Sequence, residues 1–261
     1  MKYLFIFSLF LILQSCSESK ISVNADEIAQ DSLILDSHID VPYRLWSQHL
    51  EGLEIDDISG PTNGDFDFIR ARKGGLNVPF FSIYLPASTE EDGTSHKMAN
   101  DLIDMVEDIV TLYPEKFLLI KSVDDLSSLT NKNIVGIALG MENGAPIQGD
   151  LSRVEYYYER GIRYITLTHS KTNHISDSSY DENIQWHGLS EFGKTLIEEM
   201  NRVGLMIDIS HVNDEAFYQA IELSQVPVIA SHSSLRHFTP GFERNVDDAM
   251  LNKLAEKGGV L

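Results

Sequence analysis

Six apolar runs, each followed by a stretch with helical spacing, govern what this chain of 261 residues can fold into. The runs are 33–38 (LILDSH), 76–85 (LNVPFFSIYL), 133–141 (NIVGIALGM), 162–169 (IRYITLTH), 205–211 (LMIDISH) and 226–232 (VPVIASH), and a seventh begins at 258–261 (GGVL). Apolar residues recur near helical spacing over 94–112, 150–160, 189–203, 213–223 and 246–257. Strands without strict polar alternation are buried on both faces, and a helix after each strand makes the sheet parallel. The expected fold is therefore α/β, a (β/α)8 barrel of the TIM type. Eight strands close such a barrel, whereas six and the start of a seventh precede Leu261, so the barrel is expected to be incomplete and the chain a C-terminally truncated portion. An open doubly wound sheet, which tolerates free edges, is the alternative.

Chemistry in such barrels sits at the C-terminal ends of the strands. His38 and Asp40 follow the first run, Glu142 the third, His169 the fourth, His211 the fifth and His232 the sixth. Side chains at i and i+2 on a strand share a face, so His38 and Asp40 can converge on one object. Asp36 shares that face and could orient a ligand from behind. Each group alone has a plain explanation: an imidazole bonded within its loop, Glu142 in a turn, Asp40 capping the segment before Val-Pro. Six of them on one rim are costly to bury without partners, and together they point to a metal site. Nitrogen and oxygen donors with no thiolate suit zinc, and less well manganese, iron or cobalt. Even three of the His with the two carboxylates exceed the three protein ligands usual for one catalytic zinc, which favours two ions sharing a carboxylate. His49, His96, His174, His187 and His237 carry no motif and read as loop or surface residues.

The formal net charge of -20 excludes nucleic acid as a partner, since such a surface repels phosphate. The opening "MKYLFIFSLFLILQSCSES" has one cation at Lys2, an apolar run from Tyr3 to Leu13, and then Gln14-Ser15-Cys16. That run is short for a membrane span and reads as an export signal, residues 1–15. Its end, "LQSC", resembles the lipobox of bacterial lipoproteins, and Cys16 is the only Cys in the chain. Lipidation at Cys16 would anchor the protein to a bacterial envelope membrane, facing the periplasm or the surface, with residues 16–30 as a polar flexible tether and 31–261 as the barrel. A simply cleaved signal is the alternative.

The segments "DSHID", "GMENG", "TLTHS", "IDISHV", "SHSS" and "ERN" resemble, in order and approximate spacing, the membrane (renal) dipeptidase family of binuclear zinc peptidases, and the likeness runs from about residue 31 to 261. The resemblance implies two Zn2+ per full-length chain, His38 and Asp40 on one, His211 and His232 on the other, with Glu142 bridging. It implies a metal-bridging hydroxide that attacks the carbonyl of a dipeptide, with His169 over that carbonyl to stabilise the oxyanion and Arg244 gripping the substrate's C-terminal carboxylate. Glu142 and His169 are then the catalytic side chains, a dipeptide the partner, and a homodimer is left open. The family's final strand carries an acid–base Asp in a "DFDG"-like motif that nothing in residues 1–261 matches, so a chain ending at Leu261 would turn over little. Two other readings stay open: a binuclear amidohydrolase for N-acyl amino acids, lactones or phosphoesters, with Lys171 the one Lys placed to bridge metals after carboxylation, and a non-catalytic surface lipoprotein.

Overall fold

The computed structural model describes residues 24–129 and 133–261. Its strands, β1 (Ile34–Ile39), β2 (Leu76–Tyr84), β3 (Phe117–Leu119), β4 (Val135–Glu142), β5 (Ile162–Thr166) and β6 (Met206–Asp208), all pair in parallel. The main order is β1-β2-β4-β5-β6. Beyond β6 the sheet continues through single parallel bridges, Asp208 to Ile229 and Ile229 to Val260. The expected sixth and seventh runs thus take their places in chain order, each as one bridge rather than a ladder. A doubly wound sheet needs a reversal of strand order, and this order has none. The sheet is a curled, open part of a TIM-type barrel.

Sequence spacing anticipates five of the helices to within about two residues: α5 (Ser95–Leu112), α6 (Ser152–Glu159), α7 (Glu191–Val203), α8 (Asp214–Leu223) and α9 (Asp248–Glu256). In α5 the buried Ala99, Leu102, Ile103 and Val106 recur at the spacing that keeps one face on the sheet. Ser190, Asn213 and Asp247 begin α7, α8 and α9 by accepting the backbone N–H of Gly193, Ala216 and Met250. The reading missed α2 (Val41–Leu50), α3 (Phe68–Gly74), the single turn α4 (Ser88–Glu91) and β3, which pairs Phe117–Leu119 with Val135–Ile137. α3, α4 and β3 are too short to show a period, whereas α2 is as long as α8 but follows β1 with only Asp40 between them.

The end of the expected tether differs from expectation. Residues Ala25–Asp31 form helix α1, capped by Asn24, and Gln30 Nε2 donates to the carbonyls of Arg72 and Lys73 at the end of α3. The export signal and Cys16 lie outside the described residues. Among the described residues no helix is long and apolar enough to cross a membrane.

Two faces of the sheet do different work. Outward residues Phe81, Ile83, Ile137, Leu139, Met141, Ile165 and Ile207 join the helices in the main core. Inward residues change character along each strand. Val78, Phe80, Ala138 and Tyr164 make a small apolar plug at the lower end, with Met206 packed against it. Further up the same faces stand Ser82, Thr166 and Asp208, two residues on, and Glu142, four beyond Ala138, all buried. The strands therefore deliver an apolar floor and, above it, a polar layer that carries the rim.

Candidate metal centre

Glu142 ends β4 and is only 4% exposed. Four imidazoles face its carboxylate through Nε2: His38 at 3.4 Å from Oε2, and His211, His232 and His169 at 3.1, 3.2 and 3.5 Å from Oε1. Ser82 Oγ donates to Oε2 at 3.0 Å from the next strand. The rings are also packed on one another, His38 stacked on His232 with centroids 3.7 Å apart and His169 tilted over His211 at 4.2 Å. Asp40 stands at the start of α2, but its side chain caps nothing; it is 61% exposed, with Oδ1 3.5 Å from His38 Nε2. Together with Tyr180, Ser233, Ser234, Arg244 and Asn245 these residues line a cavity of about 480 Å³.

Loops fix this arrangement. Asp177 is fully buried and accepts the N–H groups of Gln185, Trp186 and Gly188, which folds the segment after β5 into a compact lobe. That lobe is sewn to the site: Ser178 Oγ donates to the carbonyl of His169 at 2.5 Å, and Ser179 N to that of His211 at 2.8 Å. His211 adopts a left-handed backbone, φ 72°, held by these contacts. On the other side the segment 234–246 closes on itself through Arg236 N to Val246 O and Val246 N to Ser234 O. This brings Arg244 over the cavity, where it donates to Ser233 Oγ at 2.6 Å and to the carbonyl of His232 at 2.9 Å.

Charge within the cluster is strongly organised. Burial pushes Glu142 towards protonation, but His211, His232 and His38 outweigh it and hold the carboxyl well below its ordinary value. Burial likewise opposes a proton on His38, yet hydrogen bonds and charge from Asp40 and Glu142 lift it to about 10. His211 is pulled down to about 4, chiefly by burial, and His169 is lowered for the same reason. A field that keeps a proton on His38 is one that would hold a cation.

The donor set fits divalent metal. His211 Nε2 and His232 Nε2 are 2.7 Å apart, so at most one proton can lie between them, and two bare lone pairs at that distance repel unless a cation sits among them. His38, Glu142 and His232 form one group whose donor atoms converge, and Glu142, His169 and His211 form another. All donors are nitrogen or oxygen, the set that suits zinc and its neighbours. His169, at 3.5 Å the farthest of the four imidazoles from Glu142, still belongs to one of these groups, whereas Asp40 belongs to neither.

Several expectations of the sequence can now be placed. Asp36 accepts the backbone N–H of His38 at 3.0 Å rather than its ring. The ring is held by Tyr164, whose Oη lies 2.9 Å from His38 Nδ1. Sequence reasoning missed Tyr164, Ser82, Asp208 and Ser231. Asp208 alone offered a signal, a carboxylate inside an apolar run. Lys171 is exposed, 3.9 Å from Asp181 and outside the cavity, so no lysine stands where Glu142 does. None of His49, His96, His174, His187 and His237 lines the cavity.

Known proteins resemble this chain over most of its length. The sequence pattern of the family described as Membrane dipeptidase (Peptidase family M19) matches residues 23–261. An uncharacterized dipeptidase of Schizosaccharomyces pombe is 34% identical over 90% of this chain and 59% of its own length. Dipeptidase 3 of Mus musculus is 31% identical over 94% of this chain and 49% of its own length. The probable dipeptidase PvdM from Pseudomonas aeruginosa has a similar solved structure, with a TM-score of 0.78 at 25% identity, covering 90% of this chain and 61% of that one. The chain spans about half to three-fifths of the length of these curated relatives.

Proposed function

The chain belongs to the membrane dipeptidase family, and from that premise we propose that the cavity hydrolyses the peptide bond of dipeptides with two zinc ions, which His38, Asp40, Glu142, His211 and His232 would hold. The observation that carries this is the ring of four imidazoles within 3.5 Å of one buried, ionised carboxylate. Ions held there would polarise the scissile carbonyl and acidify water enough to make it a nucleophile near neutral pH.

The remaining work falls to the chain's own side chains. Glu142 stays ionised and aligns the imidazoles. His169 is kept neutral by burial, and its Nδ1 is buried without a partner. A bare lone pair is cheaper to orphan than an N–H, which favours the tautomer with Nε2–H turned into the cavity. That donor is suited to an oxygen that gains charge in the transition state. Arg244 spends two of its five donors on Ser233 and His232 and has others left for a carboxylate at the opposite end of a short substrate.

Removal of metal tests the reading directly. Treating the full-length protein with a zinc chelator is expected to abolish release of free amino acids from a dipeptide, and added Zn2+ to restore it. Hydrolysis that survives with no metal detected by elemental mass spectrometry would overturn the proposal.

We further infer, from "LQSC", that Cys16 is lipidated and holds the enzyme at a bacterial envelope membrane. Cys16→Ser is expected to move the protein from the membrane to the soluble fraction. Unchanged membrane retention in that variant would refute the anchor.

A further inference from the structure

Behind His232 lies a buried carboxylate that the proposed chemistry does not use. Asp208 is fully buried on the inward face of β6, and among the described residues no Lys or Arg forms an ion pair with it. Its oxygens accept from four donors: Ser210 N at 3.1 Å, Ser231 N at 2.9 Å, Ser231 Oγ at 2.6 Å and Thr166 Oγ1 at 2.5 Å. Ser231 Oγ lies 2.8 Å from His232 Nδ1. A carboxylate can only accept, so the single hydroxyl proton of Ser231 points to Asp208. Its oxygen is then an acceptor towards His232, whose Nδ1 must be the donor. That fixes the proton on Nδ1 and leaves the Nε2 lone pair facing Glu142 and His211.

We infer that Asp208 is a positioning residue that acts through Ser231 to lock His232 in the Nδ1–H tautomer, so that Nε2 is presented to metal. The inference rests on the zinc-peptidase reading of the site. A second relay does the same for His38. Tyr164 Oη donates to the carbonyl of Ser37 at 3.1 Å, so it accepts from His38 Nδ1. Among the described residues His211 and His169 have no such partner, their Nδ1 atoms being buried and unbonded. The relay also explains why a bare carboxylate is tolerated in the barrel interior. The cation it would balance lies one hydroxyl and one imidazole away, on the far side of His232.

Asp208→Asn tests this, because the amide keeps the shape and reverses the polarity of the link. The new NH2 donates to Ser231 Oγ, which frees the hydroxyl proton to point at His232 Nδ1 and moves the ring proton to Nε2. In metal-free protein labelled with 15N-histidine, the nitrogen shifts of His232 are expected to report Nδ1–H in the wild type and Nε2–H in D208N. Zinc affinity, read by competition with a chromophoric chelator, is expected to fall roughly 10- to 100-fold. Ser231→Ala removes the middle of the relay while leaving Asp208 three donors. It is expected to give a mixed tautomer and a smaller loss, and it carries the same two readouts if D208N does not fold. An unchanged Nδ1–H in the variants, or zinc affinity within twofold of wild type, overturns the relay. Failure of the wild type to bind zinc would instead overturn the peptidase reading, and the metal-free tautomers would still decide the role of Asp208.

Discussion

Glu142→Gln is expected to strip the protein of zinc and with it of dipeptide hydrolysis, the largest effect of any single change in the chain. Glu142 is the one side chain in reach of all four imidazoles, at 3.1 to 3.5 Å. The amide preserves volume and can still accept from Ser82, so packing at the end of β4 is retained. What it removes is the negative charge. Taking away one partner of a buried charged set costs on the order of 3–5 kcal/mol, and a loss of that size in zinc binding would be about 10²- to 4 × 10³-fold in affinity at 1.4 kcal/mol per decade. His38 offers an independent readout. Its pKa of about 10 is set against burial by only two acids, Asp40 and Glu142. In E142Q one of them is gone, so the His38 pKa must fall. Zinc uptake by the wild type at pH 7 therefore expels the His38 proton, and uptake by the variant expels less. Calorimetry in two buffers of different ionisation enthalpy measures that difference. Stoichiometric zinc retained by the E142Q variant would show that the carboxylate is not the hub of the metal site.

Much of this centre was legible before any coordinates, and the reason is periodicity. The runs 33–38, 133–141, 162–169, 205–211 and 226–232 stand out as apolar, and the polar residue at or just after the end of each falls on the rim for the same reason that the run exists. His38, Glu142, His169, His211 and His232 were therefore found together, although 194 positions separate the first from the last. The supports behind them were not legible. Tyr164 reads as an ordinary strand aromatic, and its role as the partner of His38 depends on register: Gly140 sits opposite it across the β4–β5 pair. A Cβ at Gly140 would collide with the phenol ring of Tyr164. The first glycine of "GMENG" is thus explained by a contact no linear pattern contains. Asp208 lies in the motif "IDISHV", but nothing in that string says that Ser231, from the following run, closes on it. The short strand β3 and the helix α3 escaped because three to seven residues with few buried positions leave no period to detect, and α2 escaped because only Asp40 separates it from β1, so that strand and helix read as one run. Helix α1 escaped because a polar segment docked by side chain to backbone bonds reads as a tether.

Arg244→Met is expected to raise KM for a dipeptide by roughly 10- to 100-fold while changing kcat less, because a hydrogen bond to a charged group is worth about 1.5–3 kcal/mol. Arg244 is only 8% exposed, and burial lowers the pKa of its guanidinium although Asp208 and Glu142 act from a distance to raise it. Among the described residues no carboxylate forms an ion pair with it, so the cation is left ready for an anion from solvent. Lysine in its place would carry the charge but could not hold Ser233 and His232 while meeting both oxygens of a carboxylate, so Arg244→Lys should recover only part of the loss. The comparison that isolates the contact is a dipeptide against its C-terminal amide. The wild type should discriminate between them strongly, and R244M should not. Arg244 also lowers the affinity of His169 for protons through its charge. Its removal should therefore raise the pKa of His169 and shift the acid limb of the kcat/KM profile to higher pH, an effect that a lost packing contact would not produce. Zinc affinity must be measured beside these constants, since Arg244 bonds the carbonyl of His232. If the amide discrimination persists in R244M with zinc retained, the substrate carboxylate is held by another group, and the orientation of the dipeptide in the cavity must be reversed.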